Sequence, residues 1–451
     1  MPGTPTTPID LPADARERQR HYLRFYAPLT LIGLIDISGQ LAKQGALLSV
    51  GEHGVRELVA FTLALAIMNP LVNLLIMVPQ MSNVLGRTAA GYQAARAFML
   101  RLSALLTGII LLLALSGAGS WISRSAFAAD DELVSAILFY LLWLSPRPIF
   151  NAVGQFAIGT LVRARRTGLV TMIRVVDTSM VFAMLSLGIA AGWDIRVTMI
   201  AAGLTPLLAG ALIAVILARR LTPTPQPDDD VAPTTAGIVR YFGPMAFTTA
   251  MFALSRPTLF ALISLAYGPG AFTETIIAGL ALAFSSVMLF HNPINGYRHV
   301  MTTFGDLDPE GVHRFIRRTT LCLVLAMCLT LASPLFPWFL EDVMGATGTV
   351  RDVAQQTAWV LVLMLPTIAW RNWYHGLSMV HKRTGAMLLG SVGRYATVLI
   401  VGGLLMFAGV LDHRFAALVL TLAFAAEAVG TKLGSQRWRA ELGLTGRMAR
   451  S

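Results

Sequence analysis

The sequence predicts an all-α integral membrane protein with twelve transmembrane helices in two pseudo-symmetric six-helix lobes. Three observations support this fold class: an apolar composition, twelve apolar segments of spanning length, and residue matches that recur at one offset. Of the 451 residues, 55% are hydrophobic and 13% are charged. Soluble domains carry about 25% charged residues, so the natural solvent of this chain is a lipid bilayer.

Twelve segments are long and apolar enough to cross a membrane, which takes about 20 residues in a helix. We place them at residues 24–50, 57–83, 94–118, 132–162, 168–191, 196–219, 239–266, 273–300, 315–340, 355–380, 386–409 and 413–431. Because the number is even, both ends of the chain should lie on the same side of the membrane.

Lys and Arg residues are distributed unequally between the two ends of these segments. The loops after spans 1, 3, 5, 9 and 11 hold only Arg56, Arg124, Arg196, Arg351 and Arg414. Most of the others lie in the tails and the even-numbered loops, so the positive-inside rule places both termini in the cytoplasm. We expect a multi-pass protein of a cell membrane, a bacterial inner membrane, that keeps its first span.

The longest connector contains the run TPTPQPDDDVAPTT, whose prolines and acids predict an exposed, helix-free linker. It divides the chain almost in half. The predicted organisation is a cytoplasmic tail at 1–22, an N-lobe at 23–220, a cytoplasmic linker at 221–237, a C-lobe at 238–432 and a cytoplasmic tail at 433–451.

The two halves resemble each other at an offset of 216 to 217 residues. Arg24 and Arg240 open similar motifs, and Gly159 and Gly376 occupy equivalent places in spans 4 and 10. Several matches at one offset indicate an internal duplication. Because each half has an even number of spans, the lobes should be related by an axis along the membrane normal, with a substrate path between them.

Polar side chains follow single helix faces inside several spans. A charge within a span costs several kcal/mol and usually faces a cavity or a partner. The candidate substrate-binding residues are Asp36, Gln40 and Lys43 in span 1, Arg147, Asn151 and Gln155 in span 4, Ser255 and Arg256 in span 7, Asn295 in span 8, and Arg371 and His375 in span 10.

The balance of sign among these residues predicts the kind of substrate. Lys43, Arg147, Arg256 and Arg371 lie near the middle of spans, and Asp36 is the acid set against them. Buried positive charge in excess is costly unless an anion visits, and arginine offers a planar fork for carboxylate or phosphate. The sequence therefore predicts a chamber that selects anions.

Other polar residues of the spans have structural explanations. Arg174 and Asp177 are spaced for a local pair, and Glu427 is interpreted as a structural residue whose partner the sequence does not identify. His375 is either a proton carrier or a neutral hydrogen-bonded side chain.

Enzymatic chemistry is not indicated by any motif. The sequence has no G-x-x-x-x-G-K-[ST] phosphate loop, no Ser-His-Asp arrangement and no metal-binding cluster. Cys322 and Cys328 lie within one apolar run and are interpreted as small hydrophobic residues. We therefore predict no enzyme activity, cofactor or metal. Nucleic-acid binding is excluded because the basic residues lie at helix ends rather than in a basic domain.

The chain resembles the progressive ankylosis (ANKH) family of the multidrug/oligosaccharidyl-lipid/polysaccharide (MOP) exporter superfamily. The resemblance rests on short sequence elements that match in order and spacing. They are Arg24–Pro28, Ile35–Gly45, Gly159 with Asp177, Ser255–Pro257, Thr273–Glu274, Arg298 with Phe304, and Arg371, Gly376, Thr384 and Arg394. The resemblance implies a MATE/MOP-like fold with a central cavity. It also implies export of small multivalent anions such as pyrophosphate, citrate or ATP. Lys43 and Arg147 belong to no part of it.

Several other functions remain open at this level. A lipid or lipid-linked oligosaccharide flippase of the same superfamily also tolerates a basic cavity, and a cation-coupled multidrug exporter would need more cavity acids. The signature of major facilitators is absent between spans 2 and 3, and a membrane scaffold would leave the arginines unexplained. The expected partners are a small anion and the bilayer. A coupling ion and the oligomeric state are left open.

Overall fold

The computed structural model describes residues 11–12, 14–86, 88–164, 166–222, 233–305, 307–380 and 385–441. Within these ranges the regular structure is helical. The helices are α1 (Ala15–Leu48), α2 (Gly54–Val72), α3 (Val78–Leu85), α4 (Ala89–Leu115), α5 (Gly117–Phe127), α6 (Asp131–Leu144), α7 (Arg147–Arg163), α8 (Thr167–Ala190), α9 (Ile195–Leu221), α10 (Thr235–Tyr267), α11 (Ala271–Asn295), α12 (Tyr297–Phe304), α13 (Pro309–Ala332), α14 (Leu335–Trp338), α15 (Gly348–Leu361), α16 (Met364–Val380), α17 (Gly385–Phe407) and α18 (His413–Glu441).

Eleven or twelve apolar spans account for most of the described helices. Eleven helical stretches are long and apolar enough to cross a bilayer, and the number is twelve if α15 and α16, bent by 46°, are counted as one broken span. The predicted fold class of a multi-pass, all-α membrane protein is confirmed. Each observed span overlaps its predicted segment.

Several spans are interrupted where the sequence disfavours a regular helix. The second passes from α2 through a 3-10 turn, Asn73–Met77, into α3, where Pro79 occupies the first turn. The eighth breaks at Gly296, three residues after Pro293. Proline frees a carbonyl that neighbouring helices in a bundle can satisfy, so such breaks are tolerated within a membrane protein.

The internal duplication is visible in the packing of its matched glycines. A Cβ atom added to Gly159 would lie 1.8 Å from the Ser82 hydroxyl oxygen, at the end of the second span. One added to Gly376 would lie 2.6 Å from the Met301 Cβ, at the end of the eighth. In each lobe, a glycine of the fourth span therefore allows the end of the second span to pack closely against it.

Polar contacts join the lobes at both ends of the bundle. At the end where α1 begins, the Tyr22 hydroxyl donates to Asp308 at 2.8 Å. At the opposite end, Arg56 at the start of α2 lies 3.4 Å from Glu274 at the start of α11, and it also pairs with Asp130. A hydrogen bond from the backbone N–H of Leu133, together with Arg56, holds the pKa of Asp130 below its usual value.

The helix ends differ from the predicted lobe boundaries. Helix α1 begins at Ala15, inside the predicted tail 1–22, and α10 begins at Thr235, inside the predicted linker. Helix α18 continues to Glu441, beyond residue 432. The central part of the linker, 223–232, and residues 442–451 lie outside the described residues. The lobe boundaries therefore stay predictions.

Replacing Gly376 with valine should destabilise the protein, because the new side chain overlaps Met301 and overpacking costs about 1–3 kcal/mol. The thermal midpoint of the detergent-purified variant measures the effect. The matched control is Gly403→Val, since a Cβ at Gly403 meets no atom within 4 Å. Equal midpoints for the two variants would contradict the proposed close packing of α16 on α12.

Candidate functional site

A cavity of about 370 Å³ lies between the lobes near the middle of the bundle. Its walls come from α1, α2 and the 3-10 turn of the second span on one side, and from α10, α11 and α18 on the other. The polar residues on its walls are Asp36, Gln40, Gln44, Thr62, Asn69, Asn73, Ser255, Arg256, Ser285, Asn292 and Asn295. Five predicted site residues, Asp36, Gln40, Ser255, Arg256 and Asn295, therefore come together here.

Arg256 is the basic residue of this cavity wall. Its guanidinium carbon lies 5.0 Å from the centre of the Phe284 ring, a cation–π distance. No carboxylate among the described residues forms an ion pair with it. The adjacent Ser255 hydroxyl is buried and donates to the Met251 carbonyl at 3.3 Å. Arg256 thus presents a charge to the cavity that the described protein does not neutralise by direct contact.

Asp36 and Gln40 face the cavity from α1, one helical turn apart. The Gln40 amide donates to the Ser285 hydroxyl at 3.1 Å and thereby connects α1 to α11. Asp36 lies within electrostatic range of Arg174, which itself pairs with Asp177 at 3.6 Å. The sequence-predicted local pair of Arg174 and Asp177 is present. Asp36 is the carboxylate on the described cavity wall.

Arg371 does not lie on the described cavity wall, and the prediction that it contacts substrate stays a prediction. It is 3% exposed and lies behind the wall, 3.5 Å from the Glu427 carboxylate. It also donates to the Asn372 amide oxygen at 2.8 Å and to that of Asn295 at 3.4 Å. Because Asn295 is on the cavity wall, Arg371 is connected to the cavity through one side chain.

Glu427 is the centre of this buried cluster. Its carboxylate accepts a hydrogen bond from Arg394 at 2.8 Å and one from the Ser391 hydroxyl at 3.4 Å. Sequence reasoning gave Glu427 a structural role without naming a partner, and the structure supplies Arg394 and Arg371. The sequence signal was an acid in span 12 together with surplus arginines in spans 10 and 11, but it could not show that they converge.

The cluster carries more positive than negative charge. Arg298 donates to the same Asn295 oxygen as Arg371, at 3.4 Å. Arg298, Arg371 and Arg394 lie within electrostatic range of Glu427, the one carboxylate among the described residues of this cluster, so three positive charges stand against one negative. The rings of Phe252 and Phe424 stand between this cluster and the cavity: the Arg371 guanidinium carbon lies 5.2 Å from the Phe424 centroid.

His375 belongs to the cluster and not to the cavity wall. It is 2% exposed, and its Nε2 atom lies 3.6 Å from Glu427, beyond hydrogen-bond distance. Within the described part of the chain, neither ring nitrogen has a hydrogen-bond partner. The side chain of His375 turns from α16 toward α18 and does not reach the described cavity wall, so its expected role in substrate binding stays a prediction.

The predicted residues of the N-lobe form a separate group. Lys43, Arg147, Asn151 and Gln155 are partly buried and do not lie on the described wall of the 370 Å³ cavity. Lys43 and Arg147 are close enough to repel each other electrostatically. Neither has an ion pair among the residues that the structure describes. They leave unpaired positive charge in the N-lobe interior.

Comparisons with known proteins identify the fold. No protein-family profile matches the sequence, and no curated protein matches it. An inward-facing multidrug resistance MATE family transporter of the MOP superfamily superposes with a TM-score of 0.70 at 14% identity, covering 90% of this chain and 95% of that one. An outward-facing structure of a MATE family transporter gives 0.65 at 14% identity, with 94% and 96% covered.

A third structural neighbour comes from Pyrococcus furiosus Vc1. It is a MOP superfamily transporter whose description states that reverse polarity of its binding pocket suggests a different function. The TM-score is 0.68 at 16% identity, over 93% of this chain and 95% of that one. The fold is therefore that of MATE-like MOP transporters. The resemblance to the ANKH family receives no support from these comparisons and stays a prediction.

Replacing Glu427 with glutamine should destabilise the protein by about 3–5 kcal/mol, because Arg394 and Arg371 then lose a buried counter-charge. The thermal midpoint of the purified variant checks this. Asp131→Asn is the control: Asp131 is 91% exposed and pairs with Arg124 at the surface, where an ion pair contributes about 0–1 kcal/mol. Similar midpoints for both variants would show that the buried cluster does not stabilise the C-lobe.

Proposed function

We propose that this protein is an alternating-access membrane transporter that exports small multivalent anions such as pyrophosphate, citrate or ATP. The observation that carries the proposal is Arg256, a guanidinium on the central cavity wall without a carboxylate partner among the described residues. A charge within a membrane span costs several kcal/mol and usually faces a cavity or a partner, which makes this arginine a candidate functional residue. A visiting anion supplies the missing partner, and a guanidinium can hold its carboxylate or phosphate oxygens in pairs.

The positive charge of the buried cluster behind the cavity wall also favours an anionic substrate. The cluster around Glu427 has a surplus of two positive charges, and Asn295 connects it to the cavity. Electrostatic interactions are strong where water is excluded, so this surplus acts on a ligand through the aromatic wall. Opposing it is Asp36, the one acid on the described wall. The net field of the described residues therefore favours an anion with more than one charge.

The roles of the predicted residues follow from their places. Arg256 binds the anion directly, while Gln40, Ser255 and Asn295 offer hydrogen bonds around it. Arg371 orients Asn295 and adds positive potential. Asp36 tunes the cavity or gates it. Lys43 and Arg147, with Asn151 and Gln155, would supply further anion contacts from the N-lobe, and His375 would respond to charge in the C-lobe cluster.

The known folds support transport rather than catalysis. The MATE family structures are described as multidrug resistance transporters, in inward-facing and outward-facing forms. The neighbour from Pyrococcus furiosus is described by the reverse polarity of its pocket, so the fold accommodates more than one charge pattern. The resemblance to the ANKH family suggests the anions named above. A bacterial inner membrane location with both termini in the cytoplasm belongs to the same proposal.

One observation favours a second function, a cation-coupled multidrug exporter. Asp36 exposes a carboxylate to the cavity, and the described residues form no salt bridge with it. An organic cation or a coupling ion could bind there. This reading leaves Arg256 beside a cationic substrate, where like charges repel. A flippase for lipid-linked oligosaccharide remains the alternative among anionic cargoes, since its cargo carries pyrophosphate.

Arg256→Ala should reduce the saturable uptake of pyrophosphate, citrate or ATP by at least tenfold, because loss of one charge-assisted contact costs about 1.5–3 kcal/mol. The measurement uses purified protein in liposomes, radiolabelled anions and, in parallel, a cationic dye. Arg124→Ala is the matched control, since it removes one arginine that is paired at the surface.

The panel separates the alternatives. Anion flux that is lost in Arg256→Ala and kept in Arg124→Ala supports the proposal. Normal anion flux in Arg256→Ala would remove this residue from the site. Dye flux that requires Asp36, without flux of any anion, would replace the proposal with the multidrug exporter.

A further inference from the structure

A second pocket, of about 350 Å³, lies at the end of the bundle where α1 begins, far from the central cavity along α1. Its walls are the first turns of α1 and of α13. The basic residues that line it are Arg16, Arg18 and Arg20 from α1, and Arg314 and Arg318 from α13. We call these residues the arginine pocket. It brings one helix of each predicted lobe together.

The pocket is held in shape by polar contacts between the two helices. The Gln19 amide donates to the Gly311 carbonyl at 3.0 Å, and the Tyr22 hydroxyl donates to Asp308 at 2.8 Å. Arg18 lies 3.5 Å from the same Asp308 carboxylate. Asp308 also accepts from the backbone N–H of Gly311 at 2.9 Å, which caps α13. The arginines are therefore presented by fixed helices and not by a loop.

The residues that line the pocket carry more positive than negative charge. Five arginines line it, and Asp308 is the single carboxylate among its lining residues, a surplus of four positive charges. Both oxygens of Asp308 are already engaged by Gly311 and by Tyr22 with Arg18. In addition, the Arg18 Nε atom is buried and has no hydrogen-bond partner among the described residues. Guanidinium groups concentrated in this way attract an anion.

The position of the pocket points to a ligand at the membrane surface. In α1 the arginines precede the apolar segment, and in α13 Arg314 and Arg318 precede the apolar run that starts near Leu321. Both helices therefore leave the hydrocarbon at this level. Basic pockets between helices at the headgroup level bind anionic lipid headgroups, and guanidinium groups bind phosphate through paired hydrogen bonds.

We propose that the arginine pocket is a binding site for a phosphate group, carried by an anionic phospholipid headgroup or by a free phosphate. The bound phosphate neutralises arginines on α1 and α13 at once. It therefore adds a bridge between the lobes at this end, beside the contact of Tyr22 with Asp308. The proposal does not depend on which substrate uses the central cavity.

The test is the double variant Arg314→Gln/Arg318→Gln, compared with Arg219→Gln/Arg220→Gln. The control removes the same charge at the end of α9, on the same side of the bundle but outside the pocket. Native mass spectrometry counts the phosphatidylglycerol or phosphatidylcholine that each full-length protein retains. In a lipid-free sample, a titration with inorganic phosphate follows the thermal midpoint.

Phosphatidylglycerol should bind roughly thirty-fold more weakly to the pocket variant than to the control, the change expected when two arginines are removed near an anionic surface. Phosphatidylcholine should show no difference. That result assigns the pocket to a lipid headgroup. A phosphate-dependent rise of the midpoint, lost in the pocket variant alone, assigns it to a free phosphate. Equal retention and equal phosphate response in the two variants would overturn the proposal.

Discussion

The carboxylate of Glu427 is the charge on which the described C-lobe depends. It lies in an apolar bundle, 2.8 Å from Arg394 and 3.5 Å from Arg371, and so connects α18 to α17 and α16. Removing one member of a buried pair leaves an uncompensated charge, which makes the three helices energetically interdependent. Through Arg371 the same network reaches Asn295, and hence the wall of the central cavity.

The duplication makes the asymmetry between the lobes informative. At the offset that aligns the halves, Arg394 corresponds to Asp177, and Glu427 corresponds to Gly210. A Cβ atom added to Gly210 would lie 1.9 Å from an Asp177 oxygen. The N-lobe therefore packs the Asp177 carboxylate against the glycine, where the C-lobe has the ion pair of Arg394 and Glu427. Arg256 of α10 likewise corresponds to Gln40 of α1. Equivalent positions therefore differ in charge: an acid in the N-lobe matches Arg394, and a neutral amide matches Arg256.

The spans could be predicted from the sequence because bilayer thickness alone fixes the length and polarity of a crossing helix. The cavity residues Asp36, Gln40, Ser255, Arg256 and Asn295 were predictable because polar residues within a span usually face a cavity or a partner. Arg371 and His375 do not lie on the described wall of the cavity, and their part in substrate binding stays a prediction. Their true environment depends on Glu427, 56 residues beyond Arg371, and a contact between distant helices leaves no local signal in periodicity. The arginine pocket was missed for the same reason, since α1 and α13 are brought together only by the fold.

Equilibrium binding tests the central claim most directly, because it does not depend on the coupling ion or on the direction of transport. Calorimetric titration of the purified protein with pyrophosphate, citrate and an organic cation should show saturable binding of an anion. This binding should weaken as the salt concentration rises, and its central-cavity component should disappear in Arg256→Ala. Saturable binding of the organic cation alone, lost in Asp36→Asn and unchanged in Arg256→Ala, would contradict an anion-selective cavity.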